Sequence, residues 1–154
     1  MAMMIDYDEG SEAILELCYG DASASSLANT VERPVWESIE KGIINSFNVG
    51  GFVRLRVVSP KTSFVSFLSM TSLPGKFRLE VLTRSPNPRE EHLEWWELSD
   101  SSSRGVVRFG DDDCDARTVC TDMSVAEAIF KELYEKGDLD TSLSQMRSPW
   151  NPKP

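Results

Sequence analysis

The sequence has a single histidine, His92, and three cysteines, Cys18, Cys114 and Cys120, with no CxxC pair among them. A structural zinc site draws four Cys or His ligands, usually in closely spaced pairs, so none is expected. An odd number of cysteines without repeated spacing excludes a disulfide framework. The three thiols are read as free and at least partly buried, as suits a reducing compartment. No apolar run approaches the roughly 20 residues of a membrane helix, so no membrane association is expected. The opening MAMMIDYDEGSE lacks a basic segment and turns acidic at once. It does not read as a secretory signal, and the expected compartment is the cytoplasm.

Catalytic patterns are missing as well. No serine sits in GxSxG, and no glycines form GxGxxG or a phosphate loop. A cysteine or serine nucleophile needs a base, and nothing in the sequence places His92 near Cys114 or Cys120. Glu90 and Glu91 are paired carboxylates without a sign of burial. The chain is therefore not expected to be an enzyme, and no cofactor or metal is implied. A surplus of positive charge is also absent: 16 Lys and Arg stand against 25 Asp and Glu, a net charge of −9. A phosphate backbone requires a basic footprint, which excludes nucleic acid as the expected partner.

What is present is a chain of 154 residues, 40% hydrophobic, long enough for one sizeable core. It reads as a single α+β domain over residues 1–154, with 1–10 and 147–154 as flexible or extended tails. Its charge is uneven. Residues 1–50 hold nine acids and two bases, 51–110 six acids and nine bases, and 111–154 ten acids and five bases. Both ends are acidic and the middle is mildly basic.

In chain order, AILELCY (13–19) alternates as a first strand, with Leu15, Leu17 and Tyr19 on one face. GDASASSLANT reads as a loop. A helix is expected from near Arg33, with Pro34 in its first turn and a stripe of Trp36, Ile39, Ile43 and Phe47. Gly50 and Gly51 end it. The period then becomes two: Val53, Leu55 and Val57 point one way, Arg54 and Arg56 the other. SFVSFLSM is the next strand, with Val65 and Phe67 opposed to Phe64, Ser66 and Leu68. Leu73-Pro74-Gly75-Lys76 suits a type II turn. KFRLEVLTR follows, with Phe77, Leu79 and Val81 inward and Arg78 and Glu80 outward. HLEWWELS and GVVRF are read as fourth and fifth strands of the meander.

The two neighbouring tryptophans, Trp95 and Trp96, must face opposite sides of a strand. One is expected in the core, the other under a loop, the tail or a partner. Trp150, between prolines, is read as a tail anchor packed back onto the domain. A second helix runs from a capping box, Ser124 with Glu127, to Gly137, burying Val125, Ile129 and Leu133. LDTSLSQM adds a further helical turn. The expected architecture is α+β: an antiparallel sheet of about five to six strands, with a helix from the N-terminal half and a C-terminal helix on one face.

The stretch DDDCDARTVCTD before the second helix concentrates negative charge. Asp111, Asp113, Asp115 and Asp122 match positions 1, 3, 5 and 12 of a calcium loop. Ala116 stands where its sharp turn needs glycine, and Asp122 is shorter than the bidentate glutamate. A solvated acidic loop, suited to a basic partner, is the preferred reading.

DARTVCTD and the helix VAEAIFKELYEKGDL, with RPVWESIEKGI and the strand GFVRLRV, carry a resemblance. They resemble small bacterial proteins akin to the immunity proteins of contact-dependent inhibition and other polymorphic toxin systems. The resemblance implies a cytoplasmic α/β protein that binds one cognate toxin, in many cases a basic nuclease, and blocks it. An acidic surface would steer that association. The expected contact residues are Asp111, Asp112, Asp113 and Asp115 in the loop. Glu132, Glu135 and Asp138 beside the last helix form a second patch. This reading expects a monomer. The alternative is an acidic secretion chaperone, which would be a tight dimer with an exposed apolar surface for an effector segment.

Overall fold

The computed structural model describes residues 13–21, 28–98 and 104–149. The expectations for residues 1–10 and for Trp150 lie outside them. The architecture is α+β, built on a seven-stranded antiparallel sheet in the order β2-β1-β3-β4-β5-β6-β9. Its strands are β1 (Ile14–Asp21), β2 (Asn29–Glu32), β3 (Gly51–Ser59), β4 (Val65–Leu73), β5 (Lys76–Thr83), β6 (His92–Trp95) and β9 (Met146–Arg147). Strands β7 (Val106–Phe109) and β8 (Asp112–Asp115) form a separate two-stranded hairpin. Helices α1 (Trp36–Val49) and α2 (Met123–Lys136) pack on each other and on one face of the sheet.

Alternation puts Leu15, Leu17, Val53, Leu55, Val57, Phe77, Leu79 and Val81 on the covered face, all 5% exposed or less. From the helices, Ile39, Ile43, Ala126, Ile129, Phe130 and Leu133 complete the core. Trp36 and Phe47 pack against its edge, as the helical stripe requires. β4 departs from simple alternation. Val65 pairs with Thr83 but Phe67 with Leu82, so Ser66 is an extra, bulged residue. The bulge leaves Val65, Leu68 and Met70 in the core and turns Phe67 to the other face, where Arg54 lies 4.5 Å from its ring centroid. The expected pairing of Val65 with Phe67 on one face therefore fails at a single inserted residue.

Several local expectations are corrected. α1 begins at Trp36, after Pro34 and an extended Val35, because β2 runs to Glu32 and Arg33 turns with φ 50°. The segment read as loop up to Thr30 contains the start of β2, which pairs with β1. GVVRF leaves the main sheet and pairs with the acidic stretch instead. Arg147, placed in the tail, belongs to β9 and pairs with Glu94 at the sheet edge. Met123 opens α2 after Asp122, whose carboxylate accepts from Ser124 N–H at 3.0 Å and Ser124 Oγ–H at 2.7 Å. The cap is thus Asp122, not Ser124. An aspartate in that place accepts as a full charge at the positive end of the helix dipole.

One glycine is fixed by space and conformation together. Gly51 has φ 122°, and a Cβ on it would lie 2.2 Å from the Gly20 carbonyl oxygen. Only glycine lets α1 run straight into β3 this close to β1.

Candidate functional site: an acidic hairpin

The acidic stretch is not a loop. Phe109 and Asp112 close a hairpin over Gly110 and Asp111. Gly110, with φ 63°, fills the first central position, where such short connections select glycine. Val106, Arg108, Asp113 and Asp115 share one face; Val107, Phe109, Asp112 and Cys114 share the other. Phe109 is 6% exposed and buried outside the main core. At the base, Ala116 N–H donates to Gly105 O and Glu97 N–H to Arg117 O. The Arg117 guanidinium lies 5.1 Å from the ring centroid of Trp96. This accounts for Trp96, 8% exposed, as the tryptophan covered by a neighbouring segment, while Trp95 sits in the core.

The four aspartates are not equivalent. Asp115 accepts from the side chain of Arg117 at 3.1 Å and from Arg117 N–H at 2.9 Å, as the cap of a short turn over Ala116–Thr118. The Arg117 side-chain hydrogen bond holds its carboxyl below the usual carboxylate range. Asp113 pairs with Arg108 at 2.9 Å. Asp111 and Asp112 are exposed at the tip and have no basic partner among the described residues. Unneutralised charge is concentrated on those two.

The second expected patch is dispersed. Glu132 accepts from the N–H groups of Asp140, Thr141 and Ser142 at 3.0 to 3.3 Å, holding the turn after α2. Burial alone would raise its carboxyl, but the hydrogen bonds from Ser142, Thr141 and Asp140 prevail and keep it low. Asp138 accepts from Phe64 N–H and Val65 N–H, tying the α2 exit to the start of β4. Glu135 is exposed and 4.0 Å from Lys131. Glu132 and Asp138 are thus committed to the fold, and only Glu135 remains outward.

Asp122, the fourth residue of the calcium pattern, caps α2. Among the described residues, no three His, Cys, Asp or Glu side chains converge as a metal site. Cys120 is buried, which pushes its thiol up to about 11, so it carries no thiolate near neutral pH. His92 faces Glu80 at 3.4 Å on the uncovered side of the sheet.

The α1–α2 seam holds one further ionisable site. Trp36 and Tyr134 rings lie 5.8 Å apart, and Lys131 sits 4.9 Å over Trp36. Beside them, Glu127 is raised above the usual carboxylate range, first by burial and then by Glu40. A carboxyl raised in the folded state loses stability as pH climbs through its folded pKa. Glu127→Gln, permanently neutral, is expected to raise stability relative to wild type at pH 7. The gap should close below the ordinary glutamate range. Urea unfolding of both proteins at pH 3 and pH 7 measures it.

No family model matches the chain, and no curated protein matches it in sequence. Among solved structures, the crystal structure of a hypothetical protein from Neisseria gonorrhoeae has a similar fold. The TM-score is 0.61 at 10% identity, over 86% of this chain and 96% of that one. At that identity the likeness speaks for the fold alone.

Proposed function

We propose that this is a toxin-neutralising protein of the immunity type, which docks a basic toxin domain on the tip of the β7–β8 hairpin. The observation that carries the reading is the pair Asp111 and Asp112. They are exposed and unneutralised at the turn of a hairpin held apart from the main sheet. The neighbouring Asp113 and Asp115 are each matched by an arginine. A net charge of −9 adds a long-range field that favours encounter with a cationic surface. A basic nuclease domain is the partner class that such a field suits, since its cleft is cationic for its own substrate. Neutralisation needs only binding over that cleft, so no catalytic group is required of this chain.

The secretion-chaperone reading has less support. Large exposed apolar side chains among the described residues fall on separate elements: Val35, Ile44 and Val49 at α1, Phe64 before β4, and Val106 and Val107 on β7. The run from β3 to β6 has no α-helix inside it.

The test pairs the protein with a basic nuclease toxin domain, sought first among the products of the genes that adjoin its own. Asp111→Lys/Asp112→Lys is expected to slow association roughly 10-fold or more at low salt and to flatten the salt dependence. Protection of cells expressing the toxin should fall with it. An association rate unchanged by the reversal and insensitive to salt would exclude the tip as the docking site.

A further inference from the structure

Both helices cover one face of the sheet, and the other face shows a charge order that follows from register alone. One row across the strands reads Glu32, Glu16, Arg56, Phe67, Leu82, His92. The next reads Thr30, Cys18, Arg54, Ser69, Glu80, Glu94, Arg147. β4, fourth of the seven strands, is the centre of the order and contributes the uncharged Phe67, Ser69 and Thr71. On one side of it stand Arg54 and Arg56 of β3. On the other stands Glu80 of β5. Arg54 and Thr71 are exposed, and the Arg56, His92 and Glu80 side chains are 47%, 44% and 38% exposed. Arg54 has no carboxylate partner among the described residues and lies on the Phe67 ring.

We propose that this face binds a second copy of the chain, around a two-fold axis that lies between the two sheets and parallel to β4. Such an axis sets β3 of one copy over β5 of the other. Arg54 then meets Glu80 of its counterpart, twice, while the Phe67 side chains meet at the centre. Strands lie about 4.8 Å apart, so Arg54 and Glu80 are about 10 Å from each other within one sheet, with Ser69 between. Stacked sheets are also about 10 Å apart, a gap that an arginine and a glutamate reaching from opposite sides can close. An axis perpendicular to the strands would set arginine on arginine.

Charge also selects this face for self-association. Each copy carries −9, so copies repel one another overall, and a contact is opposed least where acids and bases offset each other. On the uncovered face Arg54, Arg56, Lys76, Arg78 and Arg147 offset Glu16, Glu32, Glu80 and Glu94. The corner at Arg78 and Glu94 is closed: these two side chains pair and are only 19% and 12% exposed. About that axis β3, β4 and β5, of eight or nine residues each, overlie β5, β4 and β3, and β1 overlies the four-residue β6, a plate of about 500 Å² per copy. That area fits a weak, concentration-dependent pair rather than the tight dimer of a chaperone. The pair does not use the hairpin tip, so it stands or falls separately from the toxin-binding reading.

Sedimentation velocity on the full chain, from low micromolar to sub-millimolar concentration, tests it. Wild type is expected to shift from monomer to dimer across the series. Arg54→Glu and Glu80→Arg are each expected to remain monomeric, because each sets like charges opposite one another. Mixed in equal amounts they should form a heterodimer, since one variant then presents acids at both positions and the other presents bases at both. Arg54→Gln and Glu80→Gln, which place no like charge within the sheet, should each weaken the dimer at least several-fold. Wild type that stays monomeric throughout, a dimer that survives both charge reversals, or folded single variants whose mixture stays monomeric would overturn the proposal.

Discussion

Phe77→Ala is expected to destabilise the domain by about 3–5 kcal/mol. That is a large share of the roughly 5–15 kcal/mol by which a domain is stable. Phe77 has no exposed surface. It lies on β5, its ring edge-on to Phe47 of α1 at 6.0 Å, so it joins sheet to helix. Its backbone exchanges both hydrogen bonds with Cys120, at 2.9 and 2.8 Å, on the approach to α2. Truncation leaves a void that three elements would have to close, and strands fixed by ladder bonds collapse little. Phe77→Leu keeps most of the volume and should cost below about 1.5 kcal/mol. Phe64, 37% exposed, is the contrast: its truncation should cost under about 1 kcal/mol. Urea midpoints for the three variants order these effects, and a Phe77→Ala midpoint close to wild type would contradict the assigned core.

Asp138→Ala is expected to cost about 2–3 kcal/mol, and so to lower the melting temperature by roughly 5–10 °C. Its carboxylate accepts from three backbone N–H groups: Phe64 at 2.8 Å, Val65 at 2.9 Å and Leu139 at 3.0 Å. Hydrogen bonds to an ionised acceptor are about twice as strong as neutral ones. Two of them cross from the end of α2 to the start of β4, contacts between residues far apart in the chain. Removal strands the N–H of Val65, a buried residue, and unties the start of β4 from the end of α2. Asp138→Asn keeps one carbonyl oxygen and should lose about half as much. A loss under about 0.5 kcal/mol for the alanine variant would show that solvent replaces the carboxylate without penalty.

The same residue shows where the sequence stops informing. Asp138 looks like any acid after a helix-ending glycine, and its charge alone suggests a contact surface. Its role rests on the position of β4, seventy-odd residues earlier, which no local pattern reports. Glu132 misleads similarly, because its partners are backbone amides of a turn that side-chain periodicity does not describe. The central strands were legible because one face is buried, which forces strict alternation at Val53, Leu55 and Val57 and at Phe77, Leu79 and Val81. Both helices were legible from their apolar stripes. β2 and β9 were not: four and two residues at the sheet edges need no apolar alternation. The β7–β8 hairpin had a readable signal in VVRF-GD-DDCD, a glycine turn between two short runs. The density of aspartates, unusual in strands, obscured it.

The position of β9 sets an order of events in synthesis. β3, β4, β5 and β6 are consecutive neighbours with short connections, so they can assemble as soon as they leave the ribosome. β6 then presents its outer edge, Leu93 and Trp95 included, until Met146 emerges and pairs with Trp95. In that interval the nascent chain carries an open strand bearing a large aromatic, the kind of edge that pairs with other chains. His92 and Glu94, alternating with Leu93 and Trp95 along β6, oppose such pairing with charge and polarity. Completion of this sheet is therefore a late step, and β9 acts as its closure.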